Sequence, residues 1–252
     1  GDLSRSKQQR VNKNRLAGEE LTVRVQWRPV ISDDKRLADV GVMSGFGSSW
    51  IKLGAVKGHI DGIMGNSSAL FREPYDHQPD SRGRLRDVMF PEGNLQRLMN
   101  EADAVGLQIT VHAIGDAANE MLLDMVEEMV AVNGKRDRRF RVVHAKVLHP
   151  RDIPRFKELD LIAEVQPFHA IDDMRWMAQR IGVEDALRAY TVNNAFAGFQ
   201  EDDKGTLEVG KLADITVLDR DLLSIPTDEI KEAQVLYTIV DGRIVFAAAA
   251  AQ

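Results

Sequence analysis

Two hydrophobic periodicities follow one another along the chain and predict alternating strands and helices. The segment ELTVRVQWRPV (20–30) alternates apolar and polar residues with a period of two, which is typical of a strand. SSWIKLGAVKGHIDG (48–62) contains another short strand, and LQITVH (107–112) and RFRVVHAKV (139–147) follow. LIAEVQPFHAIDD (161–173) is one more strand with its outgoing loop. VVHAKV (142–147) is apolar on both faces, which indicates a sheet that helices cover.

Helical spacing appears between these strands. A first helix is predicted after Pro91 and ends at Gly106, and a second begins at Asp116 and ends near Gly134. Their apolar faces comprise Leu95, Leu98, Met99, Ala102 and Val105, and then Met121, Leu122, Met125, Val126 and Met129. Strand and helix alternate from residue 90 onward, which predicts parallel βαβ units in a barrel or an open doubly wound sheet.

The pattern changes near residue 200. KGTLEVGKLADITVLDRDLLS (204–224) and AQVLYTIVDGRIVF (233–246) are typical of short strands joined by Gly and Asp turns. We therefore predict an α/β domain over 1–199, a small β-rich lobe over 200–246 and a low-complexity tail over 247–252.

Composition narrows the chemistry. The 252 residues are 44% hydrophobic and 29% charged, as in globular proteins, and the net charge of −6 argues against nucleic-acid or anionic-membrane partners. The absence of cysteine excludes disulfides and thiolate sites, so a bound metal would need nitrogen and oxygen ligands. No apolar run approaches a membrane span and no secretory signal pattern opens the chain, so we expect a cytoplasmic protein.

Three histidines follow predicted strands at intervals of about one βα unit. His112, His144 and His169 each lie at or near a strand end. Active sites of α/β barrels lie at the carboxyl ends of the strands, so these side chains are expected to converge. Imidazoles on adjacent strands can share one metal ion, which explains such a pair better than general-base chemistry, because a general base needs only one.

Further candidates lie between residues 52 and 61 and at the start of the second helix. Lys52, Lys57, His59 and Asp61 are the ionisable residues of the first group. Asp116 either caps its helix or takes part in catalysis, and the sequence leaves both open.

Several ordered segments resemble the amidohydrolase superfamily, in the branch that includes N-substituted formamide deformylase. The segments are VKGHIDGIMGNSSALFREPY, VHAIGDAANEMLLD, RVVHAKVLHPRDIPRFKELDLIAEVQPFHA, ALRAYTVNNAFAGF and GTLEVGKLADITVLDRDLL. Together they cover nearly all of residues 20 to 246. The resemblance implies a (β/α)8 TIM-like barrel with a small β-sandwich lobe.

The resemblance also implies roles for single residues. It makes His112 and His144 metal ligands and Lys57 a catalytic lysine that carbon dioxide carboxylates so that it bridges two metals, with Lys52 as the competing candidate. His144, or a neighbour such as His169, would also stabilise an oxyanion, and Asp116 would orient His112 if it does not cap its helix. His169 and Asp173 resemble substrate-binding positions. The implied cofactor is one or two divalent ions, with zinc expected.

Three parts of the family pattern have no counterpart in these 252 residues. They are the first-strand His-x-His, the eighth-strand Asp and the N-terminal half of the sandwich. The barrel is therefore incomplete in this sequence. We expect the absent parts to lie outside these residues, and a truncated barrel is the alternative.

The predicted function is metal-dependent hydrolysis of an amide, N-formyl or N-acyl bond in a small-molecule substrate. A lactonase, a phosphotriesterase-like or deaminating relative, and an inactive homologue remain alternatives. A nucleotide-binding sheet is less favoured, because GVMSGFGSSW lacks a phosphate-binding fingerprint. A homodimer is expected from the family.

Overall fold

The computed structural model describes residues 21–165, 183–184, 187–188 and 190–249. The described chain divides into two compact units, of which one is Val25–Val165 and the other holds the remaining described residues. In these ranges, no helix is long and apolar enough to cross a membrane.

Parallel strands and covering helices build the Val25–Val165 unit. The strands are β1 (Val25–Trp27), β2 (Ile51–Leu53), β3 (Val56–His59), β4 (Ile109–Ala113), β5 (Arg141–His144) and β6 (Ile162–Glu164). The helices are α1 (Asp34–Asp39), α2 (Asn94–Ala104), α3 (Asp116–Asn133) and α4 (Ile153–Glu158). Strands β3, β4, β5 and β6 form one parallel sheet in that order, and β1 pairs with β2.

The core of this unit lies between the sheet and helices α2 and α3. The faces predicted from helical spacing are largely buried: Leu95, Leu98, Met99, Ala102, Leu122, Val126 and Met129 are each at most 5% exposed. Met121 and Met125 are partly buried, and Val105 is 42% exposed because the helix has already ended before it. The predicted alternation of strand and helix is thus confirmed.

The two faces of the sheet differ in chemistry. A Cβ on Gly58 would lie 3.1 Å from Leu95 of α2, so even-numbered positions of β3 face the helices. Lys57 and His59 therefore face the opposite side, because successive strand residues alternate. Their registered partners Thr110 and His112 on β4 lie on that same polar face.

The second unit contains a short helix and an antiparallel sheet. Helix α5 spans Val192–Ala197, and β7 (Ile215–Leu218), β8 (Val235–Val240) and β9 (Arg243–Ala247) pair in that order. Arg24 forms ion pairs with Asp214 and Asp241, at 2.5 and 3.0 Å, which tie residue 24 to this sheet.

The expected (β/α)8 barrel is present only as an open α/β sheet. Four strands pair in the main parallel sheet of the described residues, and they do not close on themselves. Closure of a barrel of this type needs eight tilted strands. The β-rich lobe shows one three-stranded sheet, so a sandwich stays a prediction, as does the domain boundary near residue 200.

Candidate functional site

His112 and His144 lie in contact at the carboxyl end of the parallel sheet. His112 is the fourth residue of β4 and His144 is the last residue of β5. Their ring centroids are 4.6 Å apart in an edge-to-face arrangement. The ring of His59, which pairs in register with His112, lies 5.5 Å from the His112 ring. The expected convergence of strand-end imidazoles is therefore seen for His112 and His144.

The backbone of His144 departs from the regular strand. Its registered partner is Ala113, a residue of the helix-facing side, so simple alternation would turn His144 away from His112. His144 has φ 79°, in the left-handed region that non-glycine residues rarely adopt, and Ala145 has φ 41°. We infer that this turn at the strand end directs the imidazole towards His112. Such strained positions cluster at functional sites.

The His112 ring is buried and held by the loop that follows β3. Nε2 lies 2.9 Å from the carbonyl oxygen of Gly62 and 3.3 Å from Oδ1 of Asp61. A carbonyl oxygen can only accept, so Nε2 carries the hydrogen of the neutral ring and Nδ1 carries the lone pair. The contact thus leaves Nδ1 as the nitrogen that can bind a metal.

Asp61 organises the backbone around His112. Its Oδ2 accepts hydrogen bonds from the N–H groups of Leu70 and Gly115, both at 2.9 Å, and its Oδ1 accepts one from Ile114 at 3.1 Å. The carboxylate is 1% exposed. It therefore joins the loop after β3 to the turn between β4 and α3. The sequence identified Asp61 only as an ionisable residue, because these partners are distant along the chain.

Close packing holds the same loop against that turn. A Cβ on Gly115 would lie 1.9 Å from the carbonyl oxygen of Leu70. Ala118 also donates from its N–H group to that oxygen at 3.3 Å. Glycine at position 115 is therefore required by the approach of two backbones.

Lys57 lies on the polar face, two residues before His59. Burial lowers its pKa from 10.5 to about 8; Glu164 opposes this shift, whereas the positive charges of Arg28 and Arg141 add to it. Lys52 pairs with Gln26 in the separate β1–β2 sheet. The register therefore places Lys57, and not Lys52, on the strand beside His112.

Other charged groups surround Lys57. Arg28 donates to both oxygens of Glu164, at 2.8 and 3.1 Å. Arg141 is 2% exposed and pairs in register with Thr110, which pairs with Lys57. Burial, assisted by the charge of Arg28 and opposed by Glu164, lowers the pKa of Arg141 to about 10. This part of the polar face is therefore rich in cations.

Asp116 lies at the start of α3, and its described hydrogen bonds go to the backbone. Oδ1 accepts from the N–H groups of Arg72 and Ala117, at 3.0 and 2.8 Å. The described carboxylate that contacts His112 is Asp61. The catalytic role of Asp116 stays a prediction, and its observed role is to hold the loop at Arg72.

Two predicted substrate positions, His169 and Asp173, lie outside the described residues. Within the described ranges no group of three or more His, Asp or Glu side chains is arranged to hold a metal ion. His112 and His144 are therefore two candidate metal ligands, and no third ligand is identified among the described residues.

A cavity of about 770 Å³ lies elsewhere on this unit. Its lining includes Met89, Gln96, Met121 and Met125, from helices α2 and α3 and the segment before α2. The cavity shares no residue with the histidine cluster, so the two features are separate.

Comparison with known proteins identifies related sequences. The amidohydrolase family matches residues 2–186 and 174–246. Protein LONG AFTER FAR-RED 3 of Arabidopsis thaliana is 46% identical over 154 residues, which are 61% of this chain and 26% of that protein. N-substituted formamide deformylase of Arthrobacter pascens is 44% identical over 64 residues, or 25% of this chain and 12% of that enzyme. The chain thus spans about a quarter or less of these two relatives.

A solved structure shares the fold. An uncharacterized metal-dependent hydrolase from Pyrococcus horikoshii OT3 superposes with a TM-score of 0.70 at 23% identity, over 87% of this chain and 55% of that chain. The resemblance inferred from the strand-end motifs is confirmed by the family match, which covers most of the sequence. The chain belongs to the amidohydrolase family.

Proposed function

We propose that this chain provides part of the active site of a metal-dependent hydrolase that cleaves a carbon–nitrogen bond of the amide, N-formyl or N-acyl type. The observation that carries the proposal is the contact between His112 and His144, whose ring centroids are 4.6 Å apart at neighbouring strand ends. Family membership supports the reaction class. The similarity to an N-substituted formamide deformylase supports the carbon–nitrogen bond.

The donor chemistry fits a divalent ion, with zinc as the proposed metal. Imidazole nitrogens suit zinc, and the chain contains no cysteine. Gly62 and Asp61 hold the hydrogen of His112 on Nε2, so Nδ1 would bind the ion. His144 would supply the second nitrogen. When bound, such an ion polarises a carbonyl oxygen and acidifies water, which is the chemistry that amide hydrolysis requires.

The remaining residues would support these ligands. Asp61 would keep the His112 ring in one orientation, since hydrogen-bonded carboxylates fix ligating imidazoles in this way. Lys57, carboxylated by carbon dioxide, would be a further ligand on the neighbouring strand. His144 would also stabilise negative charge on the substrate oxygen. His169 and Asp173 remain the proposed substrate-binding positions. Asp116 would support the site by holding the loop at Arg72.

Metal content and hydrolysis test this proposal together. His112→Ala and His144→Ala should each lower the metal bound per chain and abolish hydrolysis of N-formyl and N-acyl amines, while the far-ultraviolet circular dichroism is unchanged. His77→Ala is the matched control, because His77 is an exposed histidine bonded to Ser67. Full metal content in both site variants would refute the ligand assignment. Turnover of only lactones or phosphotriesters would refute the bond class.

A small-molecule substrate, a homodimer and a cytoplasmic location stay predictions. Size measurement by light scattering tests the second directly.

A further inference from the structure

Three polar residues form a row across the sheet, one layer below the histidines. Lys57, Thr110 and Arg141 occupy directly paired positions on β3, β4 and β5. Paired residues of parallel strands project from the same face, so these side chains are neighbours. Thr110 is fully buried and Arg141 is 2% exposed.

The charges around this row do not balance. Arg28, Lys57 and Arg141 are three cations, and Glu164 is the described carboxylate that accompanies them. Glu164 accepts two hydrogen bonds from Arg28 and forms a long ion pair with Nε of Arg141 at 3.9 Å, beyond hydrogen-bonding distance. Nη2 of Arg141 donates to Oε1 of Gln108 at 3.3 Å, which leaves Nε as the unbonded donor of the guanidinium within the described residues. One carboxylate thus accompanies three cations at this partly buried position, so an additional anion would be bound favourably.

Two buried polar atoms in the row also have no hydrogen-bond partner among the described residues. They are Oγ1 of Thr110 and Nε of Arg141. Buried polar atoms in native proteins almost always have partners, so such a pair calls for an explanation. A hydroxyl and a guanidinium N–H can both donate to one carboxylate, which has two acceptor oxygens.

We propose that Thr110 and Arg141, with Lys57 beside them, form a binding pocket for one carboxylate group. The carboxylate has two chemical sources. One is a small free carboxylate such as formate. The other is the group that carbon dioxide forms on Lys57, and only this source rests on the role proposed above for Lys57.

The covalent source conserves atoms and charge. Protonated Lys57 first releases one proton to solvent, and the lone pair of the resulting neutral Nζ then attacks the carbon of carbon dioxide and forms an N–C bond. One C=O electron pair moves onto oxygen, and Nζ releases a proton to solvent. The cation becomes an anion, so Arg28 and Arg141 then face two carboxylates. The described charges balance in that state.

Thermal unfolding of the 252-residue chain tests the pocket without metal or substrate. Sodium formate, compared with sodium chloride at equal ionic strength in carbon-dioxide-free buffer, should raise Tm by roughly 3–5 °C at about ten times its Kd. Thr110→Val has nearly the same shape but no hydroxyl and should lose most of this rise. Thr238→Val, a substitution on β8 outside the row, should keep it.

Labelled bicarbonate separates the two sources. A ¹³C carbamate resonance that disappears in Lys57→Ala and weakens in Thr110→Val identifies the covalent source, and in bicarbonate buffer formate should then stabilise Lys57→Ala more than wild type. A formate response of equal size in wild type and Lys57→Ala, with no carbamate signal, identifies the free carboxylate. Absence of both the formate response and the carbamate signal in wild type, or equal responses in wild type and Thr110→Val, would overturn the pocket. Neither outcome depends on bound metal, so the hydrolase proposal is tested separately.

Discussion

Nε2 of His112 and the carbonyl oxygen of Gly62 lie 2.9 Å apart, and Oδ1 of Asp61 lies 3.3 Å from the same nitrogen. Both oxygens are acceptors, so the hydrogen of the neutral ring resides on Nε2. A multiple-bond ¹⁵N–¹H correlation spectrum of the metal-free protein, at a pH where the ring is neutral, should show Nδ1 as the unprotonated nitrogen. An unprotonated Nε2 would contradict both this tautomer and the assignment of Nδ1 as the ligating atom.

The left-handed backbone at His144 predicts an unusual order of stabilities. Glycine adopts positive φ without steric cost, whereas a Cβ costs about 1–2 kcal/mol there. His144→Gly should therefore be more stable than His144→Ala by about 1 kcal/mol in urea unfolding, although glycine normally weakens a strand. At Val142, a regular position of the same strand, alanine should be more stable than glycine. The same order at both positions would show that residue 144 is not held at positive φ.

The contact between Gly115 and the loop after β3 predicts that one added methyl group at this position strongly destabilises the fold. In Gly115→Ala the added Cβ would lie 1.9 Å from the carbonyl oxygen of Leu70, so loop and turn must separate. We expect a loss of about 2–3 kcal/mol in the free energy of unfolding. Gly65→Ala is the control, because a Cβ added there would meet open space and the φ of Gly65 is not in the left-handed region. Equal stability of the two variants would refute the close approach.

Asp103, at the end of α2, accepts hydrogen bonds from Asn133, Arg136 and Arg138, and acid should weaken these contacts. Burial by itself raises the pKa of Asp103, but hydrogen bonds from Arg138 and Asn133 and the charge of Arg136 outweigh it and hold the pKa below 3.8. A lowered carboxyl pKa stabilises the fold above the unfolded-state pKa, and this contribution is lost as pH falls through the folded-state value.

Asp103→Asn should therefore be less stable than wild type at pH 7, by about 2 kcal/mol. The difference should shrink as the pH is lowered below about 4. Urea unfolding at several pH values measures it, with the exposed Asp39→Asn as control. A difference that does not change with pH would show that the charge of Asp103 is not responsible.

Raising the pH should stabilise the fold through Lys57. Its pKa is about 8 in the fold and 10.5 as the ordinary value. Between these values the unfolded chain holds a proton that the folded chain has released, so stability rises with pH across this window. Lys57→Met lacks this titration. Its stability advantage over wild type should fall by up to about 3 kcal/mol as the pH rises across that window in carbon-dioxide-free buffer. A constant advantage would refute the lowered pKa.

Local sequence was sufficient to predict the elements that position the site. The alternation in LQITVH and the helical spacing of Leu95, Leu98, Met99 and Ala102 correspond to β4 and α2, and these helix residues are buried. Such periodicities arise within about ten residues of chain and reflect which side faces the core. The strand-end positions of His112 and His144 could be predicted for the same reason.

Only the tertiary structure decided how those side chains are used. The contacts of His112 with Gly62 and Asp61 join segments that are far apart along the chain, and the row of Lys57, Thr110 and Arg141 depends on the register of three strands. The turn of His144 towards His112 depends on a backbone angle that departs from strand alternation. Hydrogen-bond partners and register are set when distant segments pack together, whereas periodicity records only which side of each segment is buried.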